Sequence, residues 1–174
     1  SRGQEVYVDV TPWDGEVYGA TVRSDVATVQ NAAPSVSSVE LSPDPVRTDD
    51  TLSASIVSAD LDGDAVAYTY EWSVNGSLVS TAATLSGSLY FSRGDEITLT
   101  VTPSDASDSG SPVTSAALTV ANSPPVGLVI ALNPSAPGDD DELVCAIDTA
   151  ATDPDGDTVI TSLSWTLNGA SFTR

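Results

Sequence analysis

Two short runs carry residue types that can do chemistry: Asp60-Leu-Asp-Gly-Asp64 and Asp153-Pro-Asp-Gly-Asp157. Each sets three carboxylates at alternate positions. The glycine before the last of them lets the backbone fold tightly enough to turn all three toward one point. Hard oxygen donors at this density suit calcium, which takes about six to eight oxygen ligands. The expected chemistry is therefore calcium binding, with Asp60, Asp62 and Asp64 as one set and Asp153, Asp155 and Asp157 as the other. The plainer reading is a solvated turn whose aspartates cap backbone N–H groups. An EF-hand is excluded. Its sixth position requires glycine and its twelfth a bidentate glutamate, where this chain has Ala65 or Thr158, then Glu71 or Ser164. Glu71 lies well along a strand and should point away from the loop.

The strand after the first acidic run alternates cleanly. Tyr68, Tyr70, Trp72 and Val74 share one face; Thr69, Glu71 and Ser73 share the other. It ends at Asn75-Gly76, a hairpin-turn pair that also accounts for the apparent glycosylation signal Asn75-Gly76-Ser77. The same pattern reads through residues 31–121. Strand A is Val36–Leu41, stopped by Ser-Pro-Asp-Pro, and strand B is Thr51–Ser58. Strand C is Ala67–Val74, and short strands cover Leu78–Ser80 and Thr84–Phe91. Strand F is Glu96–Thr102, its ladder ended by Pro103, and strand G is Ala116–Val120. No segment has helical periodicity. The fold class expected is all-β, a sandwich of about seven strands, with Trp72 in the third strand matching the core tryptophan of immunoglobulin-like domains.

The chain repeats. Ser1–Gly15 matches Ser92–Ala106 at an offset of 91 (92 − 1), which continues through Asn31 on Asn122 and Pro34 on Pro125. An insertion before the second acidic run makes the offset 93 (153 − 60), placing Trp165 on Trp72 and Asn168 on Asn75. This is a tandem array of immunoglobulin-like repeats. Residues 1–30 form the C-terminal part of one repeat, 31–121 a complete repeat, and 122–174 the N-terminal part of the next. The linkers Asn31–Pro34 and Asn122–Pro125 are short and stiffened by proline, so modules should stack rather than flex freely. Part-modules suggest a slice of a longer repetitive chain, or halves completed by neighbouring copies.

Composition narrows the function classes. Of 174 residues, 25 are acidic and 5 basic, giving a formal charge of −20. Nucleic acid and anionic membranes repel such a chain, whereas cations are attracted. No apolar run approaches a membrane-spanning ~18 residues. There is no histidine, every basic residue is arginine, and the one cysteine lies in Glu-Leu-Val-Cys145-Ala-Ile-Asp, which reads as a buried strand thiol. With carboxylates better explained by a cation, an enzyme is not expected.

The runs Asp-Pro-Asp-Gly-Asp-Thr-Val, Ser-Trp-Thr-Leu-Asn-Gly and Val-Thr-Pro-Ser-Asp make the chain resemble the PKD-type and cadherin-like immunoglobulin-like repeats of long bacterial surface and secreted proteins. The resemblance spans the whole sequence. It implies an extracellular sandwich, often calcium-binding, that serves as a spacer, adhesive stalk or fibre subunit. Some relatives of that kind accompany secreted hydrolases as accessory modules. The chain departs from the pattern in its part-modules, and in carrying Ala65-Val66 where the second loop has Thr158-Val159.

Immunoglobulin-like topology brings the B–C loop, the F–G loop and the start of strand A to one end. Asp105, with Asp108 beside it, should thus approach Asp60, Asp62 and Asp64. Asp14 is its counterpart for the second site if the end pieces join. The opposite end of a preceding module carries turns equivalent to Thr48–Asp50 and Arg93–Glu96, so calcium near the junction would tie modules together. The run Gly138–Glu142 reads as a solvated A–B turn. Trp13, which replaces Ser104, lies beside Tyr18 as a weak ligand platform for a sugar or a neighbouring module. The function expected is a structural repeat of an extracellular bacterial fibre, stalk or adhesin, rigidified by calcium, with neighbouring modules or copies as partners. The alternative is a carbohydrate- or protein-binding accessory module, with glycans as partners.

Overall fold

A computed structural model describes residues 2–172. The first piece holds four two-residue strands, β1 (Glu5–Val6), β2 (Asp9–Val10), β3 (Val22–Arg23) and β4 (Ala27–Thr28), with β1 paired to β4 and β2 to β3. The complete module follows with β5 (Ser35–Ser42), β6 (Thr51–Ala59), β7 (Ala67–Val74), β8 (Ser77–Ser80) and β9 (Leu85–Ser86). It continues through a one-turn helix α1 (Gly87–Tyr90), then β10 (Glu96–Ser104), β11 (Val113–Thr114) and β12 (Leu118–Thr119). The last piece holds β13 (Val129–Asn133), β14 (Val144–Thr149), β15 (Trp165–Leu167) and β16 (Ala170–Phe172). The protein is thus all-β, as its period-two patterning dictates.

Residues 31–121 form two facing antiparallel sheets. One runs β8-β7-β10, with β11 and β12 both paired to the far side of β10; the other runs β5-β6-β9. Between them lie Val39, Val46, Leu52, Trp72, Leu85, Phe91, Ile97, Leu99, Val101 and Val120. Trp72 is fully buried, and its indole N–H donates to the Ala82 carbonyl at 2.9 Å. That bond satisfies the one polar atom the ring brings into the core. Asn75 and Gly76 take φ of 50° and 77°, and Asn168 and Gly169 take 52° and 83°. Both Asn-Gly pairs therefore make the tight turn that joins β7 to β8 and β15 to β16.

Two local expectations fail. The stretch Thr84–Phe91 is a strand only over Leu85–Ser86 and then closes into α1. There Gly87 N–H donates to the Asp50 carbonyl at 2.8 Å, and a Cβ at Gly87 would sit 2.0 Å from the Thr48 carbonyl, so the chain turns on a glycine. Pro103 does not end its ladder, because β10 stays in register with β7 through Pro103↔Tyr68 and Ser104↔Ala67. The Pro103 carbonyl instead accepts from Gly110 N–H at 2.9 Å on the other side of the strand. The missing proline N–H points to that same side, where the partner strand is already broken.

The end pieces show what the sandwich contributes. Val6, Val8 and Val10 are 58%, 57% and 59% exposed, whereas their repeat equivalents Ile97, Leu99 and Val101 are fully buried. Residues 2–30 pair only among themselves, as do residues 122–172. Among the described residues β15 pairs with β16 alone and covers three residues, where β7 lies between β8 and β10 and covers eight. Cys145 is a free thiol, half-buried rather than buried as its place in a strand predicts. Among the described residues, no helix is long and apolar enough to cross a membrane.

Candidate metal centre and module junctions

Each acidic loop is built around its first aspartate. Asp60 Oδ1 accepts from the N–H groups of Asp62 and Asp64 at 2.8 and 3.1 Å; Asp153 Oδ1 accepts from Asp155 and Asp157 at 2.9 and 3.3 Å. Gly63 and Gly156 adopt φ of 80° and 79°, the left-handed conformation that closes the loop and that only glycine takes without strain. The second aspartate binds the linker. Asp62 Oδ2 accepts from Ala32 N–H at 2.8 Å, and Asp155 Oδ2 from Ser123 N–H at 2.5 Å. The loops therefore clamp the chain segment that enters the module.

The third aspartate binds the preceding module. Arg2 donates to Asp64 Oδ2 at 2.5 Å and to Asn31 Oδ1 at 2.5 Å. Arg93 grips both oxygens of Asp157 and donates to Asn122 Oδ1 at 2.5 Å. The two arginines are repeat equivalents on equivalent turns. Gly3 and Gly94 donate to the carbonyls of Val29 and Val120, each at 2.9 Å, and Val29 and Val120 donate back to Gln4 and Asp95. These paired bonds pin the arginine turn against the last strand of its own module, beside the linker asparagine.

At the second junction Thr48, from the A–B turn, also donates its hydroxyl to Asp155. Hydrogen bonds from Thr48 first, and then from Ser123, hold the Asp155 carboxyl below its ordinary pKa. The Arg93 guanidinium is held above its ordinary value, chiefly by its hydrogen bond to Asp157. Charge-assisted bonds of this type are among the stronger ones available at a surface.

Asp105 and Asp108 reach the first junction through an intermediary. Asn31 donates its amide to Asp105 Oδ2 at 3.0 Å and to Asp108 Oδ2 at 2.8 Å, while its carbonyl oxygen accepts from Arg2. The bond from Asn31, followed by backbone donors in its own loop, keeps Asp105 below the ordinary carboxylate pKa. Sequence reasoning brought Asp105 toward Asp60, Asp62 and Asp64. The structure inserts an amide and a guanidinium between them.

Asp14 needs correction. The end pieces do not pair with each other, and Asp14 is not among the residues gathered at the second loop. It caps its own turn, accepting from Val17 and Glu16 N–H at 2.9 Å each, bonds that in that order lower its pKa. Trp13 and Tyr18 lie at the tip of the same hairpin, 61% and 75% exposed, with ring centroids 6.0 Å apart and 27° between planes. The run Gly138–Glu142 is an exposed turn in which Asp141 accepts from Gly138 N–H.

The donor set of the second loop fits a hard divalent cation; among the described residues, Asp60, Asp62 and Asp64 of the first are not gathered in that way. At the second loop, one carboxylate oxygen each from Asp153, Asp155 and Asp157 lies within 4.8 Å of the others. At the first, Asp60 Oδ2 is buried without a hydrogen-bond partner. A buried carboxylate oxygen with no donor is costly, and a cation is what such an atom lacks.

The arginines are what sequence reasoning missed as members of these sites. The signal was present: in a chain with five basic residues, two occupy the same position of the repeat, in Ser-Arg-Gly. Comparison with protein-family models, with curated proteins and with solved structures finds no match.

Proposed function

We propose that this chain is a structural segment of an extracellular fibre, stalk or adhesin, a tandem array whose modules are locked end to end and rigidified by calcium at the acidic loops. The observation that carries the reading is the recurrence of one junction. At both, an arginine of the preceding module meets the third aspartate and the linker asparagine, while the second aspartate holds the linker N–H. A contact set repeated at the repeat offset is a joint rather than a chance surface encounter. Proline in each linker limits the swing between modules, and the charge of −20 keeps an extended array soluble and self-repelling. Asp60, Asp62 and Asp64 at one joint, and Asp153, Asp155 and Asp157 at the other, would hold the ion. When bound, calcium neutralises carboxylates that the protein alone leaves partly uncompensated. No catalytic role is assigned to any residue.

Thermal unfolding of the chain in millimolar calcium and in EGTA tests this. A ligand at a hundredfold its Kd stabilises the folded state by about 2.7 kcal/mol. Calcium should raise Tm by several degrees, and the rise should shrink in Asp62→Asn/Asp64→Asn and in Asp155→Asn/Asp157→Asn. An unchanged Tm in the parent chain would reduce both loops to turns.

One observation favours a second reading, an accessory module binding carbohydrate. The Trp13–Tyr18 pair presents two adjoining aromatic faces to solvent, a surface on which a sugar ring can stack. That reading requires glycan binding that Trp13→Ala abolishes; a glycan array showing no ligand for the parent chain would dismiss it.

A further inference from the structure

Resting on the calcium reading above, we propose that Arg2 and Arg93 are resident counter-cations. Each holds its joint when divalent cation is scarce, and each is displaced from Asp64 or Asp157 when the ion binds. The competition is for the same atoms. Asp157 offers both its oxygens to Arg93, through Nη1 and Nη2, yet it is one of the three carboxylates gathered at the second loop. At the first loop Arg2 engages one oxygen of Asp64, Oδ2, through Nη1 and leaves the other free of it. An oxygen that accepts from a guanidinium is not free to ligate a metal at full strength.

The arginine form is also incompletely neutralised. At the second loop one guanidinium faces three gathered carboxylates, and at the first Asp60 Oδ2 stays buried without a donor. A divalent ion brings twice the charge and directs it at every carboxylate in the loop, so it has reason to displace the arginine. Asn31 and Asn122 give the guanidinium a second acceptor, which keeps it at the joint between the two modules. The arrangement occurs twice, on equivalent turns. Its consequence is a joint that keeps its position at low calcium instead of falling open, and that exchanges one cation for another as calcium rises.

The test is calorimetric titration of calcium chloride into the 174-residue chain at low ionic strength, since exposed charges are screened over ~10 Å at 0.1 M salt. Parent, Arg2→Gln, Arg93→Gln and Arg93→Lys chains are compared. Removing a positive charge at contact distance from the ligands should tighten one site by about tenfold or more in each glutamine variant. Arg93→Lys should stay near the parent. Small-angle scattering in EGTA supplies a second readout: Arg93→Gln should broaden the distribution of overall dimensions, and calcium should restore it.

A parent chain that binds calcium with glutamine variants binding equally or more weakly would overturn the proposal and leave the calcium reading intact. Absence of binding to every chain at millimolar calcium would overturn both. Arg2 is exposed and lies outside the complete module, so Arg2→Gln decides the matter if Arg93→Gln disturbs folding.

Discussion

Trp72→Ala should lower the melting temperature of the cooperative transition by on the order of 15–30 °C, or abolish the transition at ambient temperature. Trp72 is the largest fully buried side chain. It sits on the central strand β7, opposite Leu99 of β10 in the ladder, and faces the β5-β6-β9 sheet across the core. Truncating a buried tryptophan costs ~3–5 kcal/mol through lost transfer energy and the cavity left behind. The Ala82 carbonyl also loses its indole donor, an additional penalty where the group stays desolvated. For a module of this size each kcal/mol is worth ~4–8 °C. Trp13→Ala, at a 61% exposed position, is the control and should leave the main transition in place. Far-UV circular dichroism melts of the two variants decide the point. A loss below about 5 °C for Trp72→Ala would mean that this ring does not anchor the sandwich.

The second large effect is expected at a position with no side chain. In Gly110→Ala, a Cβ would lie 1.9 Å from the Pro34 carbonyl oxygen and 2.9 Å from Pro103 Cγ. Backbone cannot rotate out of the way as a flexible side chain can, and Pro34 is itself buried. Either the linker or the F–G loop must therefore shift, at a cost of ~1–3 kcal/mol or more. The consequence reaches the joint, because Asn31 lies three residues upstream of Pro34 and bonds both Asp105 and Asp108. Gly110→Ala should lower Tm by about 10 °C and weaken the fixed angle between the first piece and the complete module, read by small-angle scattering. At its repeat equivalent Gly19 a Cβ would meet a Pro12 ring carbon at 2.9 Å and no backbone atom nearer than 3.7 Å, so Gly19→Ala should cost less. Equal effects would mean that the linker is not held where the structure places it.

The residues that the sequence made legible are those governed by local periodicity or local turn chemistry. Alternation alone placed Tyr68, Tyr70, Trp72 and Val74 on the inward face of β7, and the bounds Ala67–Val74 match the observed strand. The Asn-Gly turns and the glycine of each acidic loop follow from backbone sterics, which depend on no distant residue. The same linker asparagine and proline recur at the repeat offset, as Asn31 and Pro34 and as Asn122 and Pro125.

What tertiary structure decided depends on which groups meet across the fold. Pro103 stays in its ladder with β7 because its missing N–H faces the other side of β10, where its carbonyl alone bonds, to Gly110, a fact about the neighbouring segment rather than about proline. Gly87 and Gly110 are dictated by carbonyls of Thr48 and Pro34, remote in sequence. The aspartate spacing set three carboxylates within five residues, where positive charge is favoured. It did not specify the charge's source. Arg2 and Asp64 are 62 residues apart, as Arg93 and Asp157 are 64 apart, and only the stacking of one module on the next brings them together.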